Sequence, residues 1–193
     1  MWGAPLIAPD RLTVAGLAQR HGYRTACIGK WHLGRDWPIT EEQRKYFTDL
    51  GGKPGSGGDV SVTVTEAQRA AWTDIFSRPI AGGPTTRGFD EYFGTGVPNW
   101  PPYCFIENDR TVGIPTELLP AEKLAQNQAS LQGPAFAGWQ LEAILPTICN
   151  RATDFIRGQA AARQPFLLYL PLASLSHSSS FFRPVPLCSA LPG

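Results

Sequence analysis

A helix followed closely by a strand occurs twice in this chain, and this repetition constrains the fold more than any other feature. The first unit spans residues 13–28, where Asp10 or Thr13 can cap the helix and Gly22 suits the left-handed residue that ends it. The second unit spans residues 147–170. Two helix–strand units of this kind predict an α/β fold, in which helices flank a largely parallel sheet.

The two strands differ in their sequence pattern. The first, residues 23–28, contains the aromatic, β-branched and apolar side chains that suit a buried strand. The second is the continuous apolar run 165–170, which is typical of a central buried strand. Before it, Pro146 suits the first turn of a helix, and apolar residues recur at helical spacing as far as Ala162.

Shorter elements lie between these two units. The alternation of residues 60–65 predicts a half-buried strand, and residues 66–76 predict a short helix. Residues Tyr103–Ile106 read as a strand, and residues 111–138 as a long loop. The glycine-rich segment 51–58 lacks the spacing of a phosphate-binding loop, and we expect a flexible surface loop there.

Composition excludes several classes of function. The 193 residues carry a net charge of +1, so neither a nucleic-acid surface nor a polyanion surface is expected. No apolar run is long enough to span a membrane, and residues 1–5 show no signal peptide. If the protein is exported, its true start lies upstream. The four cysteines have no zinc-site spacing, which favours buried free thiols.

The candidate functional residues follow the first strand. Gly29 ends the strand, and Lys30 and His32 come two residues apart directly after it. If the backbone stays extended, both side chains point the same way and Trp31 points to the opposite side. Ligands of open α/β sheets bind beyond the carboxyl ends of the strands, so a cation and an imidazole here predict an anion site. A surface lysine and a hydrogen-bonded histidine at a strand–loop junction are the alternative.

The run Gly22–Gly34 resembles the second signature of the sulfatase family, Gly-Tyr-x-Thr-x-x-x-Gly-Lys-Trp-His-Leu-Gly. Residues 86–94 and 100–110 resemble two further segments of sulfatase and bacterial arylsulfatase-like sequences. The resemblance covers about residues 10–177, and the tail 178–193 diverges. It implies that residues 1–193 are a partial sulfatase catalytic domain, with an incomplete alkaline-phosphatase-like fold whose mostly parallel sheet is flanked by helices.

The resemblance also assigns roles to individual residues. Lys30 would bind the sulfate and neutralise the charge that builds on it. His32 would act on the hydroxyl of the nucleophile hydrate, and His177 would contact the ester oxygen as a general acid. For the segment 86–94 a purely structural role is expected from the residues themselves, with Phe89, Tyr92 and Phe93 in the core and with Arg87 and Asp90 able to form a local ion pair.

The family nucleophile is a formylglycine made in a Cys-x-Pro-Ser-Arg motif, and none of the four cysteines lies in that context. Calcium is a cofactor by resemblance, but its family ligands lie outside this chain. Glu107–Asp109 offers hard oxygen ligands, although a turn explains Asn-Asp equally well. No metal ligand is therefore assigned, and we expect the isolated chain to be inactive.

The implied partner is a sulfate-ester small molecule or a sulfated sugar, and the sequence does not select one. Family members are often periplasmic, extracellular or lysosomal, so the resemblance leaves the location unknown. Three alternatives remain at this point. They are a noncatalytic protein that binds sulfate or sulfated glycans, a phosphodiesterase or phosphonate hydrolase of the same superfamily, and a structural module without a ligand.

Overall fold

Strand β1, Arg24–Lys30, is the middle one of three parallel strands in the main sheet of a computed structural model. The structure describes residues 3–48, 63–120, 123–124 and 130–172. Five strands form the main sheet in the order β4, β3, β2, β1, β7. They are β1, β2 (Glu91–Thr95), β3 (Ile106–Glu107), β4 (Arg110–Thr111) and β7 (Phe166–Tyr169).

The three longest strands are parallel, as the two helix–strand units predict. Strand β1 pairs in parallel with β2 on one side and with β7 on the other. The two-residue strands β3 and β4 add an antiparallel hairpin beyond β2. The expected α/β class, with a mostly parallel sheet flanked by helices, is confirmed.

The helices are α1 (Val14–Arg20), α2 (Lys45–Thr48), α3 (Glu66–Ser77) and α4 (Ile144–Ala162). Thr13 caps α1 by accepting a hydrogen bond from the backbone N–H of Gly16, and Gly22 has the expected left-handed φ of 79°. Helix α4 starts a few residues earlier than the sequence suggests, after a 3₁₀ turn at Leu141–Ala143. No helix within the described ranges is long and apolar enough to cross a membrane.

Both faces of the sheet are covered by apolar side chains. On the α4 face, Ala26 and Ile28 of β1 pack with Ile148 and Phe155 of the helix. On the other face, Cys27 packs in a second cluster that contains the buried Phe89 and Tyr92. Phe89 and Tyr92 are in the core as expected, whereas Phe93 is only half-buried and stacks on Phe105 at a ring separation of 5.0 Å.

Several local expectations are wrong. Residues 63–65 are not in a strand, because Thr65 is the N-cap of α3 and shares a capping box with Gln68. Residues 60–62 and the glycine-rich segment 51–58 lie outside the described residues. The expected strand Tyr103–Ile106 is reduced to a bridge at Tyr103 and the first residue of β3.

The segment 111–138 contains more structure than a loop. Strands β5, Glu117–Leu119, and β6, Gly133–Ala135, pair antiparallel in a separate two-stranded sheet. Strand β7 also differs from expectation, because in the described part of the chain it pairs only with β1 and is an edge strand. An apolar run alone does not distinguish an edge strand from a central one.

Arg87 and Asp90 do not form the expected ion pair. The guanidinium of Arg87 donates to the carbonyl oxygens of Ile7 and Thr86 and to the hydroxyl of Thr86, and not to a carboxylate. The carboxylate of Asp90 accepts from the backbone N–H of Thr25 at 2.7 Å. Arg87 therefore links its turn to the segment at Ile7, and Asp90 links its turn to Thr25 of β1.

Candidate anion site at the end of the central strand

Strand β1 brings Lys30 to the rim formed by the carboxyl ends of the parallel strands. The backbone N–H of Lys30 donates to the carbonyl oxygen of Pro171, 2.9 Å away, just beyond β7. The close approach of the two segments requires glycine at position 29, because a Cβ there would clash with the carbonyl oxygen of Pro171. Lys30 is partly exposed, and within the described ranges it forms no ion pair.

Thr95 is the residue of β2 that lies directly beside Lys30. Residues in register on neighbouring strands project from the same face of a sheet, here the face that α4 covers. Thr95 is 2% exposed, and its hydroxyl has no hydrogen-bond partner among the residues that the structure describes. A buried hydroxyl without a hydrogen-bond partner lowers the stability of the folded chain. Because Thr95 lies beside Lys30, its hydroxyl is a candidate donor to an anion bound there.

The chain leaves its extended conformation after Lys30. Trp31 is buried on the opposite side of the sheet, as expected, and its indole N–H donates to the carbonyl oxygen of Gly34 at 3.0 Å. His32, however, has a left-handed φ of 48°, so the alternation of an extended strand does not place its side chain. Its backbone N–H donates to the carbonyl oxygen of Gly96, and its ring lies edge-on to Trp100.

The structure nevertheless brings Lys30 and His32 close enough for their charges to interact. Partial burial lowers the pKa of His32, and the neighbouring Lys30 charge lowers it further. A neutral imidazole beside a fixed ammonium can accept a proton at neutral pH while the ammonium holds an anion. The two residues are therefore candidates for an oxyanion site.

A cleft of about 200 Å³ lies beside His32, which lines it. It is smaller than the roughly 300–1,000 Å³ of sites for drug-sized ligands, so it suits one small group. Lys30 does not line it. The side chains and backbone that line it are those of Gly3, Ala4, Leu6, Trp31, His32, Gly34, Arg35, Trp37, Gly96, Val97, Pro101 and Pro102.

His177, the third residue of the expected site, lies outside the described residues, as does Cys188. Its role as a general acid therefore stays a prediction. Cys27 and Cys104 are buried free thiols, as the cysteine spacing indicates, and burial raises the pKa of Cys27 to about 12. Neither thiol is a nucleophile, because nucleophilic attack requires the thiolate.

The residues Glu107–Asp109 do not fit a calcium ion. The side-chain oxygen of Asn108 accepts from the backbone N–H of Tyr92 at 2.9 Å, and Glu107 pairs with Arg151. Asn108 has a φ of 54°, so the turn explains its identity. In the described part of the chain, no group of three or more histidine, cysteine or acidic side chains could hold a metal ion.

Two residues with functional potential were missed from the sequence, Thr95 and Arg35. Thr95 is the last residue of β2, and threonine is too common in strands to indicate a binding site. Arg35 follows the signature and has no motif of its own. Their common feature is a buried polar atom with no hydrogen-bond partner among the described residues, which a single sequence does not reveal.

No protein-family model matches the chain, and no curated protein matches it. The chain is similar to a solved sulfatase structure from Bacteroides thetaiotaomicron with a TM-score of 0.54 and 20% sequence identity. The alignment covers 86% of this chain and 35% of that structure, so the chain spans about a third of its length. The work on that structure concerns the metabolism of multiple glycosaminoglycans. At this identity the similarity shows the fold alone: the chain has a partial sulfatase-like α/β fold.

Proposed function

We propose that this chain belongs to a sulfuric ester hydrolase of the arylsulfatase type and contributes part of its sulfate-binding rim. The observation that carries the proposal is the pairing of Lys30 and His32 at the carboxyl end of β1 in a sulfatase-like fold. The signature run Gly22–Gly34 adds support, because both residues lie within it.

Each residue would do a distinct task. Sulfate transfer spreads negative charge over the peripheral oxygens, and the fixed charge of Lys30 would offset it. The lowered pKa of His32 would keep its imidazole neutral near pH 7, ready to accept a proton from a hydroxyl. His177 would protonate the departing ester oxygen, a role that rests on the family resemblance.

The rest of the chemistry would come from polypeptide outside this chain. In the family, a formylglycine supplies the nucleophile and calcium supplies further positive charge. No cysteine here lies in the formylglycine motif, and the described residues do not fit calcium. We therefore expect binding of a sulfate ester without turnover. The glycosaminoglycan context of the similar Bacteroides protein favours a sulfated sugar as the substrate.

Calorimetric titration of the full 193-residue chain with phenyl sulfate tests the proposal. The Lys30→Met variant should bind about ten- to a hundredfold more weakly, because it removes a charge-assisted contact. Equal affinity of the two proteins would contradict the proposed site. A parallel assay with a chromogenic aryl sulfate should show no hydrolysis, and turnover abolished by Lys30→Met would contradict the expected inactivity.

A further inference from the structure

The Arg35 guanidinium is buried without an anionic partner among the described residues. It is 3% exposed, its Nη1 makes a long hydrogen bond to the carbonyl oxygen of Asn108 at 3.4 Å, and a further hydrogen bond links it to the uncharged side chain of Tyr92. Its Cζ lies 4.4 Å from the centre of the Tyr92 ring. Burying a charge without a counter-charge costs several kcal/mol or more, so a residue in this state calls for an explanation.

The neighbouring titratable groups do not supply the missing negative charge. The charge of Arg35 acts on Cys27, Tyr92 and Cys104, but burial raises the pKa of all three and keeps them neutral. Asp36, the next residue, makes a bridge to Ala81 and is exposed. Within the described ranges, no ion pair includes Arg35.

Nε and Nη2 are the two guanidinium nitrogens for which the described part of the chain offers no hydrogen-bond partner. One N–H of Nη2 and the N–H of Nε lie in the guanidinium plane along the same edge and point in nearly the same direction. They form one of the fork-shaped faces that bind two oxygens of a carboxylate or sulfate at once. The unsatisfied part of Arg35 is therefore a complete bidentate face.

Arg35 also lines the cleft that His32 lines. Apolar and aromatic residues form the rest of that wall, including Trp37 and Pro101. We propose that Arg35 anchors a second anion subsite in this cleft, which takes a carboxylate or sulfate group carried by the same substrate. This inference rests on the proposed function, and it makes the substrate a sulfate ester with a second anionic group.

The subsite is closed in the unliganded fold. The Nε and Nη2 atoms are shielded from water, so an anion reaches them only when the wall of the cleft shifts. The unpaired charge of Arg35 is unfavourable in the free protein. Pairing it with an anion therefore offsets the free energy that the shift of the wall requires. Arg35 then contributes to binding at the expense of the stability of the free protein.

Arg87 provides a matched control. It is also buried, at 7% exposed, but its Nε and Nη1 donate to backbone carbonyls at 2.9 and 3.0 Å. Without added anion, Arg35→Met should unfold at a urea concentration equal to or above that of the wild type. Arg87→Met should unfold at a lower concentration, because it leaves buried carbonyls without donors.

The anion response decides the proposal. The urea midpoint of the full chain is measured with sodium benzoate, with phenyl sulfate and with 4-carboxyphenyl sulfate, at constant ionic strength. The wild type should bind 4-carboxyphenyl sulfate about ten- to a hundredfold more tightly than phenyl sulfate, and Arg35→Met should abolish this difference. A difference of the same size in Arg35→Met, or no difference in the wild type, would overturn the proposal.

Two further variants distinguish a failure of the Arg35 subsite from a failure of the Lys30 site. Arg35→Lys keeps the charge but loses the bidentate face, so it should lose most of the preference even if Arg35→Met does not fold. Lys30→Met should weaken phenyl sulfate binding and leave the benzoate response in place, so the two sites fail independently. Comparing benzoate with phenyl sulfate in Lys30→Met tells whether the subsite takes a carboxylate or a sulfate.

Discussion

Lys30 and Thr95 are direct neighbours in the two central parallel strands, and both project from the face of the sheet that α4 covers. The ammonium is partly exposed and the hydroxyl is buried, unpartnered in the described part of the chain. A bound sulfate oxygen beside Lys30 would give that hydroxyl an acceptor. Under the proposed function, the arrangement would lower the stability of the free chain in exchange for a position that binds the anion.

Replacing Thr95 by valine should stabilise the free chain. The substitution keeps the β-branched shape and removes a buried hydroxyl that has no partner, so the free energy of unfolding should rise by about 1 kcal/mol. Urea unfolding measures the change. Thr25→Val is the matched control in β1, because the Thr25 hydroxyl donates to the carbonyl oxygen of Gly88 at 2.8 Å. That variant should lose stability.

The same Thr95→Val variant should bind phenyl sulfate several-fold more weakly than the wild type, since it loses one hydrogen bond to the anion. Calorimetric titration gives the affinity. If Thr95→Val both destabilised the chain and bound phenyl sulfate normally, the hydroxyl would have a structural role only.

The free energy of unfolding should depend on pH through the protonation of His32. Its pKa lies below the ordinary value of 6.5, so below that pH the unfolded chain binds the proton more readily than the folded chain. Stability from this group is therefore present above pH 6.5 and falls as the pH is lowered through the pKa of the folded state. Urea midpoints from pH 5 to pH 8 measure the loss, and His32→Gln should remove this part of it.

Lys30→Met should raise the pKa of His32, because the ammonium of Lys30 is one of the causes of its depression. Proton NMR of the imidazole ring follows the titration, and His32→Gln assigns the resonance. An unchanged titration curve in Lys30→Met would show that the two charges do not interact.

Asp90 should also stabilise the fold at higher pH, but its contribution is lost only in a more acidic range than that of His32. Burial alone acts to raise its pKa, but hydrogen bonds from Thr25 and Gln19 outweigh burial, so the pKa lies below the ordinary 3.8. This stabilisation is present above pH 3.8 and is lost as the pH falls through the folded-state pKa. Asp90→Asn should lower the free energy of unfolding at pH 7 by about 1–3 kcal/mol and flatten the acid limb of the urea profile.

Gly94→Ala should disturb the pairing of the central strands. A Cβ at this position would clash with the backbone of Gly29, its register partner in β1. We expect a loss of about 1–3 kcal/mol in urea unfolding. Gly158→Ala is the control, because nothing lies near its Cβ in helix α4, and it should add about 0.5–1 kcal/mol. Equal effects of the two substitutions would contradict the register.

The sequence predicts the parts of this fold that depend on local pattern. The cap at Thr13, the left-handed Gly22 and the helix that leads to β7 follow from residue type and spacing. The edge position of β7 does not, because pairing partners come from distant parts of the chain. Strands β5 and β6 are only three residues each, too short for a periodic signal.

The candidate site, like the fold, could be predicted from the sequence only in part. Lys30 and His32 can be selected from their position after a strand, and the resemblance adds their roles. Their relative orientation could not be predicted, because His32 adopts a left-handed conformation that ends the alternation. Thr95 and Arg35 emerge only when each buried polar atom is matched to its partners in three dimensions.

The most direct test of the central claim is the imidazole titration of His32 in the full chain, recorded by NMR with and without sodium sulfate at constant ionic strength. If Lys30 and His32 bind one oxyanion, sulfate should raise the pKa of His32 in the wild type and have little effect in Lys30→Met. A sulfate-independent titration in the wild type, or an equal rise in Lys30→Met, would contradict the site.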